Sequence, residues 1–429
     1  MPIPDQQRIV ITGMSVNTPL GDTLDGLEEA LFAGRSAITR WRGVDTSRIY
    51  TKIGGDLTDY DFAKKIASLK ARGDEAAANR FRALPKRLRW NVRLTALLAL
   101  DAYADAAFET PPAAERFAAI VAGHNLNAGY TFSCFEKFTE DPDFIDPFIG
   151  LSVLDTTHAG IASEILGIRG PIHTVGAACA SGNVALRSAI DEIRHHDVDA
   201  VLVLGAVIEF SPIELHSMAL MGAVSFKSFN DEPERASRPF DVRREGFVAA
   251  QGGAALMLES LAHARARGAR IYAEVLCVTA SSDGNHQTQP SEDGQAALMV
   301  RALREAGIAP EQIDYINTHA TSTPIGDLTE IRAIKRAFGA HAYALKLNAT
   351  KSMLGHTCWA SPTVETVASV LQMRAGRLHP SINIDQIEPE VDLDVCAGRV
   401  VDHPVRHVLK NSFGFGGINS VSILKVFDE

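Results

Sequence analysis

Short, uninterrupted apolar runs recur along the chain, and most are followed by a stretch whose apolar positions return every three or four residues. Runs of the first kind predict strands buried on both faces, and stretches of the second kind predict helices packed along one side. On this pattern, strands are expected at residues 8–14, 117–122, 172–175, 200–205, 251–259, 270–281, 313–318, 346–349, 408–412 and 420–427. Helices are expected at 24–33, 94–107, 156–166, from just after Cys179 to about 194, and at 260–266, 296–306, 327–338 and 361–375. The last of these carries a start signal, with Ser361 as N-cap and Pro362 as its first helical residue. Strands alternating with helices favour a layered α/β fold. No low-complexity linker divides the chain, so one compact body is expected, read as an N-terminal half (1–260) and a C-terminal half (261–429) without a residue-level repeat.

Composition narrows the classes. Of 429 residues, 46% are hydrophobic and 22% charged, which is ordinary for a globular protein. The formal net charge of -10 argues against bulk nucleic-acid binding. The densest basic stretch, 64–89, holds Lys64, Lys65, Lys70, Arg82, Lys86, Arg87 and Arg89, and reads either as a solvated helical face or as a docking patch for an acidic partner. Five cysteines are scattered with no C-x-x-C pair, so neither a zinc site nor a disulfide framework is suggested and a reducing cytoplasm is the expected location. No secretory signal and no membrane-length apolar window are seen.

Candidate chemistry sits where predicted strands end. In the run from His173 to Leu186, a strand breaks into small residues, presents Cys179 and enters a helix. A cysteine at a helix start is expected to favour the thiolate, the nucleophilic form. Three further segments follow strands in the same way: Asn317–Pro324 with His319, Thr321 and Thr323; Lys351–His356; and the glycine-rich run from Asn411 to Asn419 with Phe413 and Phe415.

Together with Arg238-Pro239-Phe240-Asp241 and the run Arg244–Val248, these motifs resemble the β-ketoacyl-acyl-carrier-protein synthases, most closely the elongating ketosynthases of fatty acid and polyketide pathways, over essentially the whole chain. The resemblance implies the thiolase fold, a five-layered αβαβα sandwich of two similar α/β halves. It also implies a homodimer, with a heterodimer as the alternative, and an acyl carrier protein as partner. Its phosphopantetheine arm would carry the substrate, with no tightly bound cofactor and no metal.

By the same resemblance, Cys179 holds the acyl chain, and the N–H groups of Cys179 and Phe415 form the oxyanion hole. His319 and His356 face the malonyl thioester. Lys351 gives electrostatic support by pairing with Glu330, and Glu365 is a buried acid near the same network that needs a partner or a cation. Thr321 and Thr323 hold the pantetheine arm, and Phe413 and Phe415 gate the acyl chain. The implied reaction is decarboxylative Claisen condensation of malonyl carrier protein with the acyl group on Cys179. The alternatives are a malonyl-carrier-protein decarboxylase and a chain-length partner subunit.

Three places depart from the family pattern. Ala320 follows His319 where glycine is usual. His356 is followed by Thr357-Cys358-Trp359-Ala360-Ser361-Pro362 rather than by small residues. Gly123-His124-Asn125-Leu126-Asn127 replaces a glycine-rich segment, which puts polar His124, Asn125 and Asn127 at the expected acyl pocket and points to a short or polar acyl group in a specialised polyketide pathway.

Overall fold

The computed structural model describes residues 4–284 and 288–428. Its centre is a sheet of ten strands. The first five are β1 (Ile9–Asn17), β2 (Phe117–Ala122), β3 (Ile172–Val175), β4 (Ala200–Gly205) and β5 (Gly253–Ser260). The second five are β6 (Ala273–Ser282), β7 (Tyr315–Asn317), β8 (Lys346–Asn348), β9 (His407–Gly414) and β10 (Ile418–Lys425). Across the sheet the order is β8-β7-β9-β10-β6-β1-β5-β4-β2-β3. Taken separately, each set of five has the spatial order third-second-fourth-fifth-first. The directions repeat as well: the third, second and fourth strands run parallel, and the fourth-fifth and fifth-first pairs are antiparallel. The two sets join where Ile9–Ile11 pairs antiparallel with Ala273–Val275.

The strands are apolar on both faces because both faces are covered. Helices Trp90–Asp105 and Thr156–Leu166 pack outside the first half-sheet, and Glu292–Ala306 and Pro324–Phe338 lie outside the second. Helices Ser181–His195 and Ser361–Ala375 lie between the half-sheets and touch both. This is the five-layered α/β sandwich expected of a thiolase fold, with separate apolar clusters in the first outer, central and second outer layers. The helix at 361–375 is buried almost all round, which matches its lack of a polar stripe. Close packing demands small residues: a Cβ at Gly205 would lie 1.9 Å from Thr363 Oγ1 on that helix.

Two local expectations are corrected. Ser361 does not cap its helix. Ala360 is the N-cap, Ser361 is already helical, and its hydroxyl is used elsewhere. The basic stretch is not one solvated face either. Lys65 is buried, 3.0 Å from Asp101, while Arg72 also pairs with Asp101 and Arg89 pairs with Glu209. Lys64, Arg82, Lys86 and Arg87 remain exposed. No helix among the described residues is long and apolar enough to cross a membrane.

Candidate active site

The loops following β3, β7, β8 and β9 converge on one cavity of about 500 Å³, lined by Cys179, His319, His356, Thr321, Thr323, Glu330, Phe413 and Phe415 among others. Residues from both halves therefore meet in a single site, at the C-terminal ends of parallel strands where α/β sheets place their ligands.

Cys179 stands two residues before the helix Ser181–His195, after Ala178 at φ +46°. That left-handed turn costs conformational energy for a residue with a side chain, and it directs the next side chain into the cavity. Gly414 lies against this turn: a Cβ there would come 3.1 Å from Ala177 O and 3.2 Å from Cys179 N. The contact brings the N–H of Phe415 to the sulfur, which the N–H of Cys179 itself also reaches. Two backbone donors thus converge on the Cys179 sulfur.

The expectation of a stabilised thiolate is overturned. Burial pushes the Cys179 thiol up to about 11, against the pull of Lys351 and of the two N–H groups. Cys179 as a residue is half-buried, the thiol itself is enclosed, and desolvation of the charged form outweighs the helix start. Cys179 therefore rests as the thiol.

The two histidine rings meet edge-to-face, with centroids 5.6 Å apart. His356 is fixed by its backbone, which donates to Val248 O at 2.7 Å and accepts from Ala250 N at 2.9 Å, so the run Arg244–Val248 serves to seat it. Its Nδ1 accepts from Cys358 N–H at 3.2 Å and lies 2.8 Å from Ser361 Oγ. With Nδ1 accepting, the ring proton belongs on Nε2, which has no hydrogen-bond partner among the described residues. Ser361 therefore orients the histidine instead of capping the helix. Burial first, and then the Lys351 charge, hold both His319 and His356 well below the usual imidazole range. Both are neutral at pH 7 and able to donate an N–H.

Glu330 clamps the loop carrying His319, with Oε1 2.8 Å from His319 N and Oε2 2.7 Å from Ala320 N. Asn411 also donates to it at 2.8 Å. With its oxygens so occupied, Glu330 is not the partner of Lys351. The ammonium of Lys351 instead forms a buried ion pair with Glu365, which corrects the expected pairing and supplies the partner that this acid needs.

Thr323 occupies the N-cap position of the helix Pro324–Phe338, yet its hydroxyl makes no cap bond and lies 3.1 Å from that of Thr321. Both threonine hydroxyls line the cavity. Phe413 is buried and stacks edge-on to His319 at 5.8 Å, whereas Phe415 is 38% exposed at the mouth.

The polar trio of the first half is not brought together at this cavity. His124 packs against Gly176 and stacks on Trp359 at 4.0 Å. Asn127 is buried, accepting from Asn91 at 2.8 Å and donating to Ser152 O at 2.7 Å. Asn125 and Asn127 line a separate groove together with Phe132, Phe135, Ile213 and Glu214. The Asn127 side chain is thus used within the fold, and the backbone N–H of Asn125 donates to Asp155 at 3.0 Å. What sequence reasoning missed is Ser361 as a histidine partner, Val248 as its backbone anchor, and Lys410, a buried lysine beside Lys351 and Glu365. Only the last had a signal: a lysine inside a run read as a buried strand.

Family models for the β-ketoacyl synthase N-terminal domain and C-terminal domain match residues 6–264 and 272–385. The chain belongs to the β-ketoacyl synthase family. It is 34% identical to a 3-oxoacyl-[acyl-carrier-protein] synthase 2 of Coxiella burnetii, over 99% of this chain and 100% of that protein. It is equally 34% identical to the chloroplastic 3-oxoacyl-[acyl-carrier-protein] synthase I of Arabidopsis thaliana, over 98% and 87% of the two chains. Among solved structures, a type II polyketide ketosynthase in complex with its acyl-carrier protein superposes with a TM-score of 0.87 at 27% identity, covering 98% of this chain and 99% of that one. The ishigamide ketosynthase/chain length factor also gives 0.87, at 29% identity and the same coverage.

Proposed function

We propose that this chain condenses an acyl group held on Cys179 with malonyl carrier protein. The observation that carries this reading is the convergence of a thiol, two backbone N–H donors and two neutral histidines on one cavity. In the first step the thiol attacks the acyl thioester, forming the Cys179 thioester and releasing the carrier's pantetheine thiol, which takes the proton. The N–H groups of Cys179 and Phe415 stabilise the tetrahedral oxyanion. In the second step malonyl thioester loses CO₂, and His319 and His356 donate hydrogen bonds to the developing enolate oxygen. The enolate carbon attacks the acyl carbonyl, and the Cys179 thiolate leaves and is reprotonated. Lys351 and Glu365 hold the electrostatics behind the histidines, and Thr321 and Thr323 receive the pantetheine arm. The direct test is stoichiometry. Condensation releases one CO₂ per 3-oxoacyl product, whereas CO₂ released without that product identifies decarboxylation alone.

The stack of Trp359 on His124 supports a restricted acyl pocket, because bulky rings stand where the family has small residues. Trp359→Ala is expected to raise kcat/KM for an eight-carbon acyl donor relative to an acetyl donor by at least about tenfold, the worth of a single methylene in an apolar pocket. An unchanged ratio would place the stack outside the acyl path.

Lys86 and Arg87 are the proposed contacts for an acidic carrier protein. Reversing both charges should raise KM for the carrier about tenfold with kcat unaffected, since exposed charges act on encounter. An unchanged KM removes this assignment.

The proposed dimer pairs through β3. The outer edge of β8 is covered by the chain at Leu347 N to Asp394 O, 2.8 Å, whereas β3 is an edge strand with Ile172 exposed. Exposed Phe135, Phe138, Phe144 and Leu151 belong to the same half. An uncovered strand edge in an apolar setting is a template for a second copy. With five free cysteines, one of them the nucleophile, the proposed location is the reducing cytoplasm.

A further inference from the structure

Lys410 is fully buried in β9 and has no carboxylate partner among the described residues. The nearby acid, Glu365, is already paired with Lys351. A buried lysine held only by neutral groups is expensive unless it has a task. The Nζ of Lys410 donates to Asn183 Oδ1 at 2.6 Å and to Ser412 Oγ at 3.4 Å. Those partners sit on the two elements that build the site. Asn183 lies four residues after Cys179, in the first turn of the nucleophile's helix. Ser412 lies on β9, three residues before Phe415. One side chain therefore spans the gap between the element that supplies the Cys179 N–H and the element that supplies the Phe415 N–H. Burial holds the amine down to about 7, with Glu365 opposing that shift and Lys351 adding to it. Neutral or charged, it can donate to both partners.

We infer that Lys410 is a positioning residue for acyl transfer: by reaching from β9 to Asn183 on the nucleophile's helix, it fixes the distance between the two backbone donors that converge on the Cys179 sulfur. It touches neither substrate nor reacting atoms. This inference rests on the proposed ketosynthase reading, but it concerns only the first half-reaction. The enolate is formed at the histidines, which are held by other groups: His356 by Val248 and Ser361, His319 by Glu330.

The test measures the two half-reactions separately on the full chain. Acyl transfer from an acyl N-acetylcysteamine thioester to Cys179 is followed by intact mass, and malonyl carrier protein decarboxylation by CO₂ release. Lys410→Met keeps the volume and removes the donor. It is expected to lower the maximal rate of acylation about 10- to 100-fold, with KM for the acyl donor changed less than about twofold and decarboxylation within about threefold, the pattern of a lost transition-state interaction. Asn183→Ala, which removes the acceptor at the helix end of the bridge, should give a loss of the same kind and serves if the lysine variant does not fold. Equal losses in both half-reactions, or unchanged acylation in either folded variant, would overturn the inference. Wild-type protein that performs neither half-reaction would instead sink the ketosynthase reading itself.

Discussion

Cys179→Ala is expected to abolish condensation, by about 10⁴-fold or more, because no other group can hold the acyl chain as a thioester. Cys358 is buried behind His356, with its thiol pushed up by burial and by Cys179, and it is not placed against the two backbone donors. The same variant should keep malonyl decarboxylation within about one order of magnitude, since enolate stabilisation belongs to the histidines. Measuring CO₂ release and 3-oxoacyl formation on one preparation checks both halves. Loss of both activities in a folded protein would mean that the thiol takes part in decarboxylation.

The second large effect is at the histidines. His356→Ala should lower decarboxylation about 100- to 1000-fold, the usual cost of one preorganised donor, while acylation of Cys179 survives. Both histidines are held well below the ordinary imidazole value by burial and by Lys351. The neutral, donating form therefore persists as pH falls through about 6.5, where a free imidazole would become charged, and is lost only below the depressed value. Decarboxylation by the Cys179→Ala variant should accordingly be flat between about pH 8 and pH 6. An inflection near 6.5 would show that a histidine with ordinary acidity controls the step.

Much of the sandwich was legible because most of its strands are buried on both faces and read as apolar runs, while the edge strand Ile172–Val175 showed through its β-branched residues. The boundaries at Phe117–Ala122, Ile172–Val175, Ala200–Gly205 and Thr156–Leu166 coincide with the expected ones. The shared strand order of the halves was not legible, since topology is preserved while side chains diverge. The helix at 128–140 carries polar and exposed aromatic positions on a face that the isolated chain does not cover, so its pattern gave no clean stripe. At the site, the order of Cys179, His319, Lys351 and His356 was visible along the chain, but partners were not. Ser361 looked like a cap because serine before proline is a helix-start signal, yet its hydroxyl serves His356. Lys351 was matched to Glu330 as the acid on the helix after His319, whereas the loop N–H groups of His319 and Ala320 take that carboxylate. The acidity of Cys179 was misjudged because a helix start is a local feature, and the enclosure that overrides it is made by segments distant in sequence, among them those carrying Phe247, His319 and Phe413.

The most direct measurement is the intact mass of protein and carrier after wild-type enzyme meets acyl-loaded and malonyl-loaded carrier protein together. The proposed function predicts an acyl adduct confined to Cys179 and a carrier bearing the 3-oxoacyl chain two carbons longer. Acetyl carrier protein accumulating with no adduct on Cys179 would contradict it and leave a decarboxylase.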